Sequence, residues 1–167
     1  MPREKPWGRG IYLDHSATTP VRPEVLEAML PFLREHHGNA GSLHRFGRNC
    51  RRAVETAREQ VAALINAEPR EILFTSGGTE SDNLAIKGTV EMLVKKGKHV
   101  ITCVTEHKAI LDSVKYLESK GLAEVTWLPV NNHGFVTASQ VEEAVRDDTV
   151  LISIMAANNE IGILQPI

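Results

Sequence analysis

The apolar positions change their period along the chain. Between residues 24 and 34, Val25, Met29, Leu30 and Leu33 recur near helical spacing behind Pro23, a residue favoured in a first helical turn. A polar stretch with Gly38, Asn39, Gly41 and Ser42 follows, and then Val54, Ala57, Val61, Leu64 and Ile65 mark one face of a longer helix ending near Asn66, before Pro69. From residue 71 the pattern becomes a regular alternation: strand 71–74, helix 80–95, strand 99–104, helix 108–119, strand 124–128, a helix around 139–145 and strand 149–155. Strands that alternate with helices of this length predict crossover connections and an α/β fold, a mostly parallel sheet with helices on both faces. The apolar run from Val150 to Met155 predicts a strand buried on both sides.

In such sheets ligands gather beyond the carboxyl ends of the strands. Three segments are expected to meet there: Ser76-Gly77-Gly78-Thr79, Thr105-Glu106-His107, and Ala156-Ala157-Asn158-Asn159-Glu160. Gly77 and Gly78 allow a sharp turn and close approach to a ligand, while free amides at the start of the next helix favour an anion, and Thr79 adds a hydroxyl. The same three residues also suit a tight turn with a helix cap. The lysine and spacing of a Walker loop are missing. His107 could stack on a planar ligand or cap a helix, and Asn158 and Asn159 could serve a ligand or form a turn.

The bulk numbers narrow the function classes. The 167 residues carry 19 basic and 21 acidic side chains, a net charge of -2, with no clustered basic stripe of the kind that binds nucleic acid. Arg48, Arg51 and Arg52 read as a solvated helix face. Two cysteines, Cys50 and Cys103, lie far apart in no metal-ligand spacing, which fits packing roles in a reducing compartment and predicts no metal site. Residues 1–10 are polar, and nowhere do eighteen apolar residues run together, so a soluble cytoplasmic protein with no membrane partner is expected.

Taken jointly, the motifs resemble pyridoxal-phosphate enzymes of fold type I, the class V aminotransferase superfamily, and within it the cysteine desulfurases of the NifS and IscS type. The resemblance runs from Ile11-Tyr12-Leu13-Asp14-His15-Ser16-Ala17-Thr18-Thr19-Pro20, through Gly38-Asn39-Ala40-Gly41-Ser42-Leu43-His44-Arg45-Phe46-Gly47, to Ser76-Gly77-Gly78-Thr79-Glu80-Ser81-Asp82-Asn83 and Leu84-Ala85-Ile86-Lys87-Gly88. It continues in Thr105-Glu106-His107-Lys108-Ala109-Ile110-Leu111 and Asn158-Asn159-Glu160-Ile161-Gly162. It implies that Gly78 and Thr79 hold the phosphate of pyridoxal 5'-phosphate, that His107 stacks on its pyridine ring, and that Asn158 hydrogen-bonds near its phenolic oxygen. Asn39-Ala40 stands where the family has an Asn-Pro pair, a departure that bears only on the stiffness of that loop. On this resemblance residues 1–20 are a lead-in segment and 21–167 part of a cofactor-binding domain.

The family converts L-cysteine to L-alanine and passes the sulfur on as an enzyme persulfide, for iron-sulfur cluster or thio-cofactor assembly. Its members are homodimers that deliver sulfur to acceptor or scaffold proteins. The reaction needs a lysine that anchors the cofactor, an aspartate for its ring nitrogen and a cysteine thiolate on a mobile loop. In the family these follow the Asn-Asn-Glu motif, and Ile161 to Ile167 contain none of them. The resemblance therefore implies an N-terminal part, inactive alone, with no catalytic residue assigned in this chain and with marginal stability or self-association. A selenocysteine lyase or other class V enzyme, and a non-catalytic half that pairs with a separate C-terminal chain, share these features.

Overall fold

The computed structural model describes residues 10–166. They form two compact units divided between Phe74 and Thr75.

In the first unit, α1 (Pro23–Arg34) opens on Pro23 and carries Glu24 in its first turn, but buries no residue. Helix α2 (Arg45–Leu64) is capped by His44, whose ring accepts from the Gly47 amide at 3.4 Å. The polar loop before it folds back over its first turns. A Cβ on Gly47 would lie 2.5 Å from the carbonyls of Asn39 and Ser42, and Arg51 donates to the Ala40 carbonyl at 2.9 Å. Asn66, at φ 55°, ends α2 in the left-handed conformation, and the Ala67 amide returns to the Ala62 carbonyl at 2.9 Å.

The strand expected over 71–74 does not form. Pro69–Glu71 is instead a 3-10 turn closed by a capping box, in which the Glu71 carboxylate accepts from the Glu68 amide at 2.8 Å. The Arg58 guanidinium then takes the Ile72 carbonyl and lies 5.1 Å from the centre of the Phe74 ring.

The second unit runs α3 (Gly78–Met92), β1 (His99–Cys103), α4 (Lys108–Ser119), β2 (Glu124–Leu128), α5 (Ala138–Ala144) and β3 (Thr149–Ser153). The strands make a parallel sheet in the order β2-β1-β3, with Val100 opposite Val125 on one side and Leu151 on the other. Right-handed crossovers that reverse direction put their helices on opposite faces. Accordingly, Ile86 and Val90 of α3 and Ile110, Val114 and Leu117 of α4 pack with Val100 on one face, while Val141 and Ala144 of α5 pack with Ile101, Cys103 and Leu128 on the other. The α/β fold with helices on both faces is thus as the alternation predicts.

The strand buried throughout is β1 at the centre. The expectation for 150–155 is corrected: β3 ends at Ser153 and lies at the sheet edge, with Ile152 44% exposed. An edge strand has one neighbour, and α5, at seven residues, is too short to cover its whole outer face. Hydrophobicity alone does not report how many neighbours a strand will have.

Candidate functional site

Helix α3 begins at Gly78 with Gly77 as its cap, two residues earlier than the periodicity predicts. The first hydrogen bond closing it runs from the Ser81 amide to the Gly77 carbonyl at 3.1 Å, which leaves the amides of Gly78, Thr79 and Glu80 with no intrahelical partner. Packing does not demand the glycines: a Cβ on Gly77 or Gly78 meets no atom within 4 Å. Open space over free amides at a helix start is the arrangement a phosphate uses. Glu80, the acidic residue of this turn, points its carboxylate to the Ser76 hydroxyl and amide, both at 2.6 Å, and these bonds hold its carboxyl below the ordinary range. Thr75 and Ser81 close the loop with a hydroxyl pair at 2.6 Å.

At the end of β1 the chain runs through Thr105 and Glu106 to His107, which caps α4. Its Nδ1 accepts from the Ala109 amide at 3.1 Å, so the neutral ring carries its proton on Nε2 and its orientation is fixed. The residue is exposed. Beyond β3, Asn158 is buried at the start of a turn. Its Oδ1 accepts from the amides of Glu160 and Ile161 at 2.9 and 3.0 Å. Its Nδ2 donates to the Thr105 carbonyl at 3.0 Å and meets the Met155 sulfur at 3.3 Å. Sulfur is a weak acceptor, so one N–H of this amide is available to a better one.

His107 and Asn158 line a common cleft of about 540 Å³, with Thr105, Glu106, Lys108 and Asn159 among its other walls. Two of the three predicted segments meet there. Ser76 to Thr79 do not line it, and Asn159 is a wall residue whose side chain makes no hydrogen bond among the described residues. Helix α3 is nonetheless packed against α4, the helix that His107 caps, through Ile86 and Val90 with Ile110 and Val114.

Glu106 lies in one of the predicted segments, but sequence reasoning gave it no role of its own. It is 7% exposed, its carboxylate accepts from the Met155 amide at 2.5 Å, and the Cys103 thiol lies 3.8 Å away. Burial pushes its carboxyl above the ordinary range; the Met155, His107 and Cys103 donors oppose that rise and Asp82 adds to it. The only signal for it in the sequence is a carboxylate placed directly behind a buried strand.

Among the described residues no group of three or more His, Cys, Asp or Glu side chains could hold a metal ion, and no helix is long and apolar enough to cross a membrane. Cys50 and Cys103 are both buried, Cys103 completely.

The aminotransferase class-V family model matches residues 11–167. The chain belongs to this family. Class V aminotransferases and their relatives depend on pyridoxal phosphate. Among curated proteins the chain is 55% identical to the cysteine desulfurase IscS of Dictyoglomus turgidum over 159 residues, and 57% identical to that of Vibrio campbellii over 160. These alignments cover 95% and 94% of the chain but only 40% and 39% of the relatives, so the chain spans about two fifths of their length. Among solved structures, a NifS-like protein superposes with a TM-score of 0.88 at 45% identity, covering 93% of this chain and 43% of its own.

The residues present fit the family's cofactor. Gly78 and Thr79 offer amides beneath open space, His107 offers a flat ring of fixed orientation, and Asn158 offers an N–H held only by sulfur.

Proposed function

We propose that this chain is the N-terminal part of a pyridoxal-phosphate-dependent cysteine desulfurase and carries the phosphate and ring side of the cofactor pocket. The observation that carries the reading is the pair of glycines at the start of α3, which no packing contact requires and which leave the helix's first amides under open space. The identity to IscS proteins over nearly the whole chain supports it.

In this reading the amides of Gly78 and Thr79 and the Thr79 hydroxyl bind the phosphate, where fixed dipoles replace water around its charge. The His107 ring stacks on the pyridine, and its bond to the Ala109 amide keeps it from rotating away. Asn158 donates to the phenolic oxygen with the N–H that otherwise meets Met155. The cofactor, when bound, supplies an electron sink for bond breaking at the substrate. The whole protein converts L-cysteine to L-alanine and passes the sulfur as an enzyme persulfide to acceptor or scaffold proteins for iron-sulfur cluster or thio-cofactor assembly. It does so as a cytoplasmic homodimer, in which residues 1–20 are a lead-in and 21–167 part of the cofactor domain.

The chain alone does not turn over. Neither cysteine has the exposure that an attacking thiolate needs. The Lys87 ammonium is engaged by Asn83 at 2.6 Å and lies 4.8 Å from the centre of the Tyr116 ring. Lys108 lines the cleft, so it is the lysine that a covalent test has to exclude.

The test is a titration followed by absorbance, comparing pyridoxal 5'-phosphate with pyridoxal, then borohydride reduction and peptide mapping. The phosphorylated form should bind more tightly, with no single lysine labelled. Equal binding of the two would contradict the phosphate assignment, and stoichiometric labelling of Lys108 or Lys87 would contradict the statement that the anchor lies elsewhere.

A further inference from the structure

The two walls of the cleft come from parts of the chain far apart in sequence. One is the loop from β1 to α4, with His107; the other is the segment leaving β3, with Asn158. Two side chains cross between them. The Asn158 amide reaches the Thr105 carbonyl at 3.0 Å, and the Glu106 carboxylate reaches the Met155 amide at 2.5 Å across 49 positions of sequence. Thr105, Glu106 and Asn158 are all wall residues of the cleft, and Glu106 is only 7% exposed there. A carboxylate there can be kept only with donors, and it has the Met155 amide, the neighbouring Cys103 thiol at 3.8 Å and the His107 amide close by. Its partners fix both ends of a short span: Met155 stands three residues before Asn158, and Glu106 stands one before His107.

We propose that Glu106 is a positioning residue for the cofactor site, a buried brace between the two walls that sets the separation of the His107 ring and the Asn158 amide. It touches neither cofactor nor substrate and acts through those two residues. The proposal rests on the cofactor reading above. The reach required is that of a glutamate: an aspartate is one methylene shorter and loses the Met155 amide, whereas a glutamine keeps an acceptor oxygen at the same distance.

The experiment compares the 167-residue chain with its E106Q, E106D and E106A variants by two readouts. The first uses no cofactor: the hydrogen-exchange rate of the Met155 amide and the NMR shifts of the Asn158 side-chain amide and the His107 ring. The second is the dissociation constant for pyridoxal 5'-phosphate. In E106D and E106A, Met155 exchange should quicken, the Asn158 and His107 signals should move together, and affinity should fall about tenfold, the scale of one lost hydrogen bond. E106Q should stay close to the parent in every readout, and because it preserves shape it also keeps the comparison usable if E106A fails to fold. Asn158 and His107 signals that stay fixed in E106D, or an E106Q variant as impaired as E106D, would overturn the brace. A parent chain that binds no pyridoxal 5'-phosphate would overturn the cofactor reading instead, and the cofactor-free signals would still decide whether Glu106 couples the two walls.

Discussion

His99, the first residue of β1, is fully buried, and its ring joins the three strands. Nδ1 lies 2.7 Å from the Thr149 hydroxyl of β3 and Nε2 lies 2.8 Å from the Thr126 hydroxyl of β2. Thr149 Oγ1 also accepts from the Arg146 amide at 2.7 Å. A neutral imidazole serves this arrangement with one donating and one accepting nitrogen; a charged one would have two donors and force a threonine hydroxyl to turn. Replacing His99 with alanine removes two hydrogen bonds of about 1 kcal/mol each and leaves part of a ring-sized void, so the loss should be about 3 kcal/mol or more. That is a large share of the stability of an ordinary domain.

The pH dependence carries the sharper test. Burial lowers the His99 pKa below its usual 6.5, and the Arg146 charge lowers it further, against the opposing charges of Asp148 and Glu124. Because the folded pKa is the lower one, the unfolded chain binds more protons between the two values, and stability rises with pH through that window. The His99 contribution is complete above pH 6.5 and shrinks as the pH falls below it, by about 1.4 kcal/mol for each unit separating the two pKa values. Urea unfolding followed by far-UV circular dichroism, on the parent and on H99Q at pH 7.5 and 5.5, measures this. The advantage of the parent over H99Q should shrink at pH 5.5. An advantage that stayed constant or grew on acidification would refute the neutral bridging imidazole.

Three further outcomes are expected. Gly88→Ala, inside α3 where a Cβ meets nothing within 4 Å, should raise stability by about 1 kcal/mol in the same urea assay. Gly97→Ala, whose Cβ would collide with the Asp148 backbone carbonyl, should lower it by about 1–3 kcal/mol instead, so similar values for the two would contradict the packing described. Gly78→Ala should leave the urea midpoint unchanged or slightly higher yet weaken pyridoxal 5'-phosphate binding about tenfold, because the added methyl occupies only the space proposed for the phosphate.

How much of this was legible in the sequence depended on how far away each residue's partners lie. The spans expected for α4 and β2 are those observed, and β1 differs only by one residue at its end, because helical and strand periodicity there agrees with the local burial. The strand expected over 71–74 does not form, and its Ile72 carbonyl is met by Arg58, fourteen positions earlier. The Gly77-Gly78-Thr79, His107 and Asn158 motifs were visible as residue types at strand ends, and two of these three places share a cleft. Glu106 and His99 were legible only as members of a strand-end segment and a strand, with no role of their own. Their partners, Met155, Thr126 and Thr149, stand 27 to 50 positions away and become neighbours only when the parallel ladder forms.

The central claim is that one cofactor is held by the start of α3, by His107 and by Asn158. Proton–nitrogen NMR shift mapping during a titration with pyridoxal 5'-phosphate tests it most directly. The account predicts saturable shifts of the Gly78 and Thr79 amides together with the Asn158 side-chain amide, all at one dissociation constant, with the His107 ring moving in parallel. Shifts confined to other residues, or Gly78 and Thr79 unmoved while the cleft responds, would contradict it.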